Sequence, residues 1–391
     1  MGSVEVTRPK VAIYNLYWAT YGGGEQVSGA IAEALKTHCD VTLLGPEAPN
    51  VEATRARLGV DLSGCECRKV VDDSEAGEAS ADFDVFINGT YRSHTVNQAP
   101  VGLYYVHFPE PPITSRRQAV HKIAQVGLGA MKAAPRLPDR LAGVQRGLQR
   151  RVIDQSWSKS YTKFLSNSTY TAGWVKKLWG AESEIVYPPV RTTVKPGKKV
   201  ELITSIGRFF DPSLGHSKKQ HELLEVFTRM FSSHEGLGDW SLSFVGGADG
   251  ASRDYALAVR RGAIGLPVKV NLNAPRELVE TTLATASIYW HGGGFGEDAD
   301  LHPERFEHFG IAVVESMAAG AVPVVFAAAG PAEIVRHGVD GFHWKTLDEL
   351  QSFTRQLMND EELRLKMSSA AQSRAADFGV DVFVERINSL I

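Results

Sequence analysis

The chain has 391 residues, 43% of them hydrophobic, which is more than a single core usually holds and points to two domains of similar size. A formal charge of −3 argues against a dedicated nucleic-acid binder, and three cysteines without a C-x-x-C pair argue against a disulfide framework or a cysteine zinc site, as in a reducing compartment. The start MGSVEVTRPK lacks the apolar core of a signal peptide, and no apolar run nears the ~18 residues that span a bilayer, so the expectation is a cytoplasmic chain, in solution or at the cytosolic face of a membrane.

Short apolar runs rich in β-formers alternate with longer helical patterns, the arrangement of parallel sheets covered by helices. The first half offers strands at 11–17, 41–44, 85–87, 102–107 and 164–166. Between the first strand and a helical run at 27–35 stands Ala19-Thr20-Tyr21-Gly22-Gly23-Gly24-Glu25-Gln26, where glycines let backbone amides approach an anion or a sugar. This is not the G-x-G-x-x-G fingerprint, and no acidic residue closes a strand about 20 residues on, which disfavours a nicotinamide enzyme. The run 102–107 ends in His107 and is stopped by Pro109, Pro111 and Pro112, so an imidazole stands at the carboxyl edge of a strand, where doubly wound sheets bind ligands. Residues 114–163 then carry eleven Lys and Arg against two Asp, with interspersed Leu, Val, Met and Trp, a pattern suited to an anionic membrane surface or a phosphate-bearing acceptor.

The stretch 187–199, YPPVRTTVKPGKK, breaks any periodic pattern and marks the domain boundary. Further strands are expected at 202–206, 241–245, 268–272, 287–290 and 322–326. Arg208 follows the first of these, and Lys218, with Lys219 beside it, opens a helix whose apolar positions are Leu223, Leu224 and Phe227. Such cations suit the charge of a diphosphate. His291-Gly292-Gly293-Gly294-Phe295-Gly296 makes a loop after 287–290. Asp298-Ala299-Asp300 is formally a D-x-D, a metal-binding pattern elsewhere, but it stands in a polar loop rather than at a strand edge and is read as incidental; no metal or other cofactor is expected.

The most informative segment is 303–325, PERFEHFGIAVVESMAAGAVPVV. Glu307 and Glu315 bracket Phe309-Gly310-Ile311, which opens an Ala-rich helical run without an acidic residue in its first turn, and Gly320 and Pro323 pass the chain to a strand. Amides after Gly310 carry the positive end of the helix dipole and suit a diphosphate. Glu315 lies roughly 7.5 Å further along the axis, within reach of a ribose, which leaves Glu307 for the hydroxyls of whatever the diphosphate carries.

This spacing of Glu, seven residues, Glu in its loop, helix and strand setting resembles the signature of the family-4 retaining glycosyltransferases. The resemblance implies an α/β chain of GT-B fold, with two doubly wound Rossmann-like domains facing across a cleft: 1–190 for the acceptor, 191–375 for the donor, and 376–391 as a C-terminal helix returning to the first domain. It implies a GDP- or UDP-sugar as donor, a glycan or lipid-linked acceptor, and catalytic roles for His107, Arg208, Lys218 and Glu307. Donor contacts would come from Gly23, Gly24, Lys219, Gly246, Gly294, Phe295, Gly296, Phe309, Gly310, Ile311 and Glu315. The segment around His107 is similar to the His-x-Pro segment of eukaryotic dolichol-pathway mannosyltransferases, which favours GDP-mannose. The implied reaction retains the anomeric configuration, needs no metal, and lets the leaving phosphate take the acceptor's proton. A GT-B nucleotide-sugar epimerase would need an acid and base carboxylate pair that the chain does not present. A non-catalytic nucleotide-sugar binder would not need every phosphate and ribose position filled.

Overall fold

A computed structural model describes residues 7–110, 155–192, 194–233 and 237–391, so most of the basic stretch 114–163 lies outside the described residues. Contacts divide the chain into two units, Met1–Ser166 with Thr171–Glu184 and Asn167–Tyr170 with Ile185–Ile391. The break expected at 187–199 thus falls a few residues early, and 376–391 group with the second unit. There Phe378 packs on Tyr187 and Phe309 at 5.0 and 5.7 Å, and Val190 donates its amide to Phe378 O at 3.0 Å.

Among the described residues the first sheet holds β1 (Lys10–Tyr14), β2 (Asp40–Gly45), β3 (Glu66–Lys69), β4 (Val85–Asn88), β5 (Val101–Val106), β6 (Lys163–Ser166) and β7 (Ser183–Ile185), in the order β3-β2-β1-β4-β5-β6-β7. The second holds β8 (Val200–Ile206), β9 (Ser241–Gly246), β10 (Val268–Leu272), β11 (Ala286–His291), β12 (Val322–Phe326) and β13 (Phe342–Trp344), in the order β10-β9-β8-β11-β12-β13. Each order runs third, second, first, fourth, fifth, sixth, the Rossmann pattern, whose ligands sit beyond the carboxyl ends where the order reverses. In the second unit that point lies between β8 and β11, so the segments beginning at Gly207 and Gly292 flank it.

Side-chain alternation explains why these strands read as near-continuous apolar runs. Along β11, Ile288 and Trp290 join Leu223, Phe227 and Met230 of the helix Gln220–Phe231 on one face, while Tyr289 joins Val313, Val314 and Met317 of the helix Ile311–Ala318 on the other. Both faces are covered, as in parallel sheets generally. Because each helix connects two parallel strands, its N-terminus returns to the carboxyl edge of the sheet. At the opposite ends, Lys199 Nζ donates to Ala284 O at 3.0 Å, in the last turn of the helix Arg276–Thr285, and to Ala319 O, the C-cap of the helix Ile311–Ala318. Burial lowers its pKa to about 8.

Three strands were not legible. β3 is exposed at every position and reads Glu-Cys-Arg-Lys, without an apolar face, as edge strands that resist pairing often do. β7 and β13 are three residues long, too short to show a period.

Candidate donor site

The helix Ile311–Ala318 exists where the Glu307 to Glu315 segment places it. Val313, Val314 and Met317 are fully buried, each worth roughly 1.5–3 kcal/mol of transfer from water. Gly310 is the N-cap at φ 115°, a backbone region that other residues rarely adopt. No side chain caps this end, its first turn has no acidic residue, and Ile311 and Ala312 are half-buried. Phe309 is 3% exposed and belongs to the core against Tyr187 and Phe378, so only its backbone is available to a ligand.

Immediately before this helix, Glu307 is ion-paired to Lys218, with His291 Nε2 at 3.5 Å and His216 Nε2 at 3.8 Å from its Oε2. Its main-chain oxygen takes the amide of Gly330 at 3.0 Å, which fixes the turn. Burial alone would raise the carboxyl's pKa, but the Lys218 ammonium with His291 and His216 beside it holds the group well below the usual range. The histidines move down, mainly through burial: His216 to about 4, His308 to about 3, and His291 in the same direction. Below pH 6.5 the unfolded chain protonates these rings while the folded protein leaves them neutral, so stability falls as pH drops from 6.5 towards about 4 and is recovered above that window. The slope is at most about 1.4 kcal/mol per pH unit for each histidine, and smaller for His216, whose side chain is 34% exposed. Denaturation curves at stepped pH on wild type and His308→Gln should show a shallower fall in the variant. Coincident curves would exclude His308 as a contributor.

A second ionic group braces the same segments. Lys219, at φ 59° the N-cap of the helix Gln220–Phe231, reaches Glu297 Oε1 at 2.6 Å, and Arg305 reaches Glu297 Oε2 at 3.1 Å. The Lys219 and Glu297 side chains are only 6% and 10% exposed. Burial opposes ionisation of Glu297, yet the two cations lower its pKa. Glu297 therefore ties the residue after Lys218 to the residue two before Glu307. The Gly-rich loop between β11 and Glu297 packs tightly: at Gly294, φ 93°, a Cβ would lie 2.5 Å from the Phe306 ring. Phe295 packs on Phe326 and Trp344 at 5.6 and 5.1 Å, so its ring is core rather than ligand contact. Gly296 follows at φ 75°, and Asp298 Oδ1 accepts from the amides of Asp300 and Leu301, which makes the D-x-D a turn.

Glu315 lies on the same helix with its side chain 14% exposed, 3.4 Å from Arg276 Nη2. Burial raises its pKa against the pull of that guanidinium. Arg208, exposed after β8, lines a pocket of about 210 Å³ with Phe210, Gly247, Asp249, Ser252 and Asn273. Gly246 closes β9 beneath it and takes the Asn273 amide at 2.9 Å.

In the first unit, His107 stands one residue beyond β5, with Nε2 3.0 Å from Gly89 O, and burial lowers its pKa. A Cβ on Gly24 would meet this ring at 3.4 Å. The Gly-rich loop is a capped helix start: the helix is Gly23–Leu35, and Glu25 takes the Gly22 amide and the Thr20 hydroxyl, each at 2.7 Å. That carboxylate takes one amide, that of Gly22, while no side chain caps the amides that follow, and the missing side chain of Gly24 leaves room for the His107 ring.

Sequence reasoning brought Lys218, Glu307, Gly310 and Glu315 into one unit but missed Glu297, Arg305, Arg276, His216 and His291 as partners. His291 had a signal, closing a buried strand before three glycines. The others are charged residues in polar stretches, indistinguishable from solvated ones.

Comparison with known proteins adds to this geometry. Residues 194–374 match the family model described as glycosyl transferases group 1. The match lies within the second unit. Over 243 residues the chain is 29% identical to the GDP-Man:Man(3)GlcNAc(2)-PP-Dol alpha-1,2-mannosyltransferase of Dictyostelium discoideum, an alignment covering 57% of this chain and 46% of that protein. The chain thus spans less than half the length of that relative. Among solved structures it resembles Anabaena HepE in complex with UDP and glucose, with a TM-score of 0.65, 14% identity and 98% of each chain covered. It also resembles a glycosyltransferase from Rickettsia africae, with a TM-score of 0.67, 12% identity and 98% and 97% covered. At such identities the likeness concerns the fold, which is GT-B. Among the described residues, no helix is long and apolar enough to cross a membrane.

Proposed function

We propose that the protein transfers a hexose from a nucleoside-diphosphate sugar to a saccharide or lipid-linked acceptor, with retention at the anomeric carbon and without a metal. One observation carries this reading: an uncapped helix start free of acidic residues, with a buried, ionised Glu307 just before it, Glu315 along it and Lys218 against Glu307. On this reading the amides after Gly310 and the cations Lys218 and Arg208 receive the diphosphate, whose charge grows as the bond to the sugar breaks. Glu315 accepts the ribose hydroxyls in place of Arg276, and Glu307 accepts those of the hexose. The bond between C1 and the phosphate oxygen breaks while a bond to the acceptor oxygen forms on the same face of the sugar. The acceptor's proton passes to the departing phosphate, so no protein base is required. Mannose as the hexose, supported by the name of that relative, belongs to the same proposal, as do His107 orienting the sugar and attachment at a cytosolic membrane face.

Nucleotide release followed with UDP- and GDP-sugars, with and without saccharide acceptors, tests it. Release that depends on acceptor is the expected result. A sugar altered without acceptor would mean epimerisation, and binding without turnover would mean a non-catalytic binder. Glu315→Ala is expected to weaken nucleoside diphosphate affinity by about ten-fold or more, as the loss of hydrogen bonds to a charged group does. Unchanged affinity by calorimetry would remove Glu315 from the ribose site.

A further inference from the structure

The 210 Å³ pocket beside Arg208 lies at the carboxyl edge of β8, β9 and β10. Whole drug-sized ligands occupy about 300–1,000 Å³, so this pocket suits one ring system. Two polar side chains that line it have hydrogen-bond capacity left over. Ser252 is 2% exposed, and its Oγ has no hydrogen-bond partner, an arrangement that folded proteins rarely leave unexplained. Asp249 gives one oxygen to the Ser252 amide at 3.2 Å, which leaves most of its acceptor capacity for a ligand. The remaining amide, Asn273, is committed: at φ 53° it takes the Ala248 N–H at 2.9 Å and donates to Ala248 O at 3.2 Å. Phe210 is half-buried and supplies an apolar wall, and Arg208 joins the pocket to the diphosphate site proposed above.

Resting on the nucleotide-sugar reading, we infer that Asp249 and Ser252 select the donor's base and that the base is guanine. Guanine presents N1–H and N2–H₂ side by side, two parallel donors that match a carboxylate, with O6 next to them to accept from the Ser252 hydroxyl. Uracil offers a single N–H flanked by two carbonyl oxygens, both repelled by a carboxylate. Adenine places a ring lone pair beside its amino group, so the second carboxylate oxygen meets no donor.

The test is titration calorimetry and thermal melting of the full chain with GDP, UDP and ADP, on wild type, Asp249→Asn and Ser252→Ala. GDP should bind wild type at least about ten-fold more tightly than UDP or ADP. Asp249→Asn keeps an oxygen for the Ser252 amide, so the fold is retained. It should weaken GDP by about ten- to hundred-fold and narrow the preference over UDP, because an amide pairs with uracil's N–H and carbonyl. Ser252→Ala should weaken GDP several-fold with an unchanged or raised melting temperature, since it deletes a buried hydroxyl that nothing satisfies. Equal or tighter binding of UDP or ADP, or variants that leave the preference untouched, would overturn the base assignment and spare the nucleotide site. Failure of all three nucleotides to bind would bring down both.

Discussion

Glu307→Ala is expected to reduce hexose transfer by at least about 10²-fold while nucleoside diphosphate affinity stays close to wild type. The asymmetry follows from position. Glu307 is buried, ionised and held by Lys218 and two histidines just before the helix whose amides, on the proposed reading, receive the diphosphate. It contributes nothing attractive to a diphosphate, so its removal leaves the cationic half of the site in place and frees Lys218 from a competing carboxylate. What is lost is the acceptor of the sugar's hydroxyls, and a sugar displaced by about 1 Å at the reacting carbon is enough to account for the fall. Steady-state kinetics and nucleotide titration on the same preparation separate the two quantities. Wild-type turnover in the variant would show that Glu307 does not hold the transferred sugar.

Glu297→Ala is expected to cost about 3–5 kcal/mol of folding stability, the usual consequence of stranding one partner of a buried ion pair. Lys219 Nζ has Glu297 as its carboxylate at 2.6 Å and its side chain is 6% exposed, so it cannot turn outward to water without moving the helix start at Gln220. Arg305 is less committed at 29% exposure and can rehydrate. Adding Lys219→Met to Glu297→Ala should therefore restore much of the loss, because an apolar chain of similar length needs no counter-charge. Denaturant melts of the two single variants and the double variant measure the coupling. A loss below about 1 kcal/mol in Glu297→Ala would place the pair in the class of solvated surface bridges.

The parallel, helix-covered character of both sheets was legible because strands such as β11 and β12 are buried on two faces and advertise themselves as apolar runs. The helix start at Gly310 was legible because glycine, apolar spacing and the absence of an early acid all mark it. Partners of the site were not legible for a different reason. Glu297 and Arg276 are ordinary charged residues until the fold brings them to Lys219 and Glu315, and nothing in their neighbours along the chain distinguishes a carboxylate locked at 10% exposure from one in water. The same holds at the triple glycine 22–24, whose composition suggests an anion cradle, since only the fold shows that the Glu25 side chain turns back onto the Gly22 amide.

The contact between Lys218 and Glu307 means that the cationic and anionic halves of the proposed site neutralise each other. Free phosphate could content the ammonium only by orphaning the carboxylate, and a free sugar could occupy the carboxylate only by leaving the ammonium bare. On the proposed roles, a molecule that joins both chemistries compensates both halves in a single event. The resting pair thus acts as a coincidence requirement, turning away the fragments of the donor while admitting the donor intact.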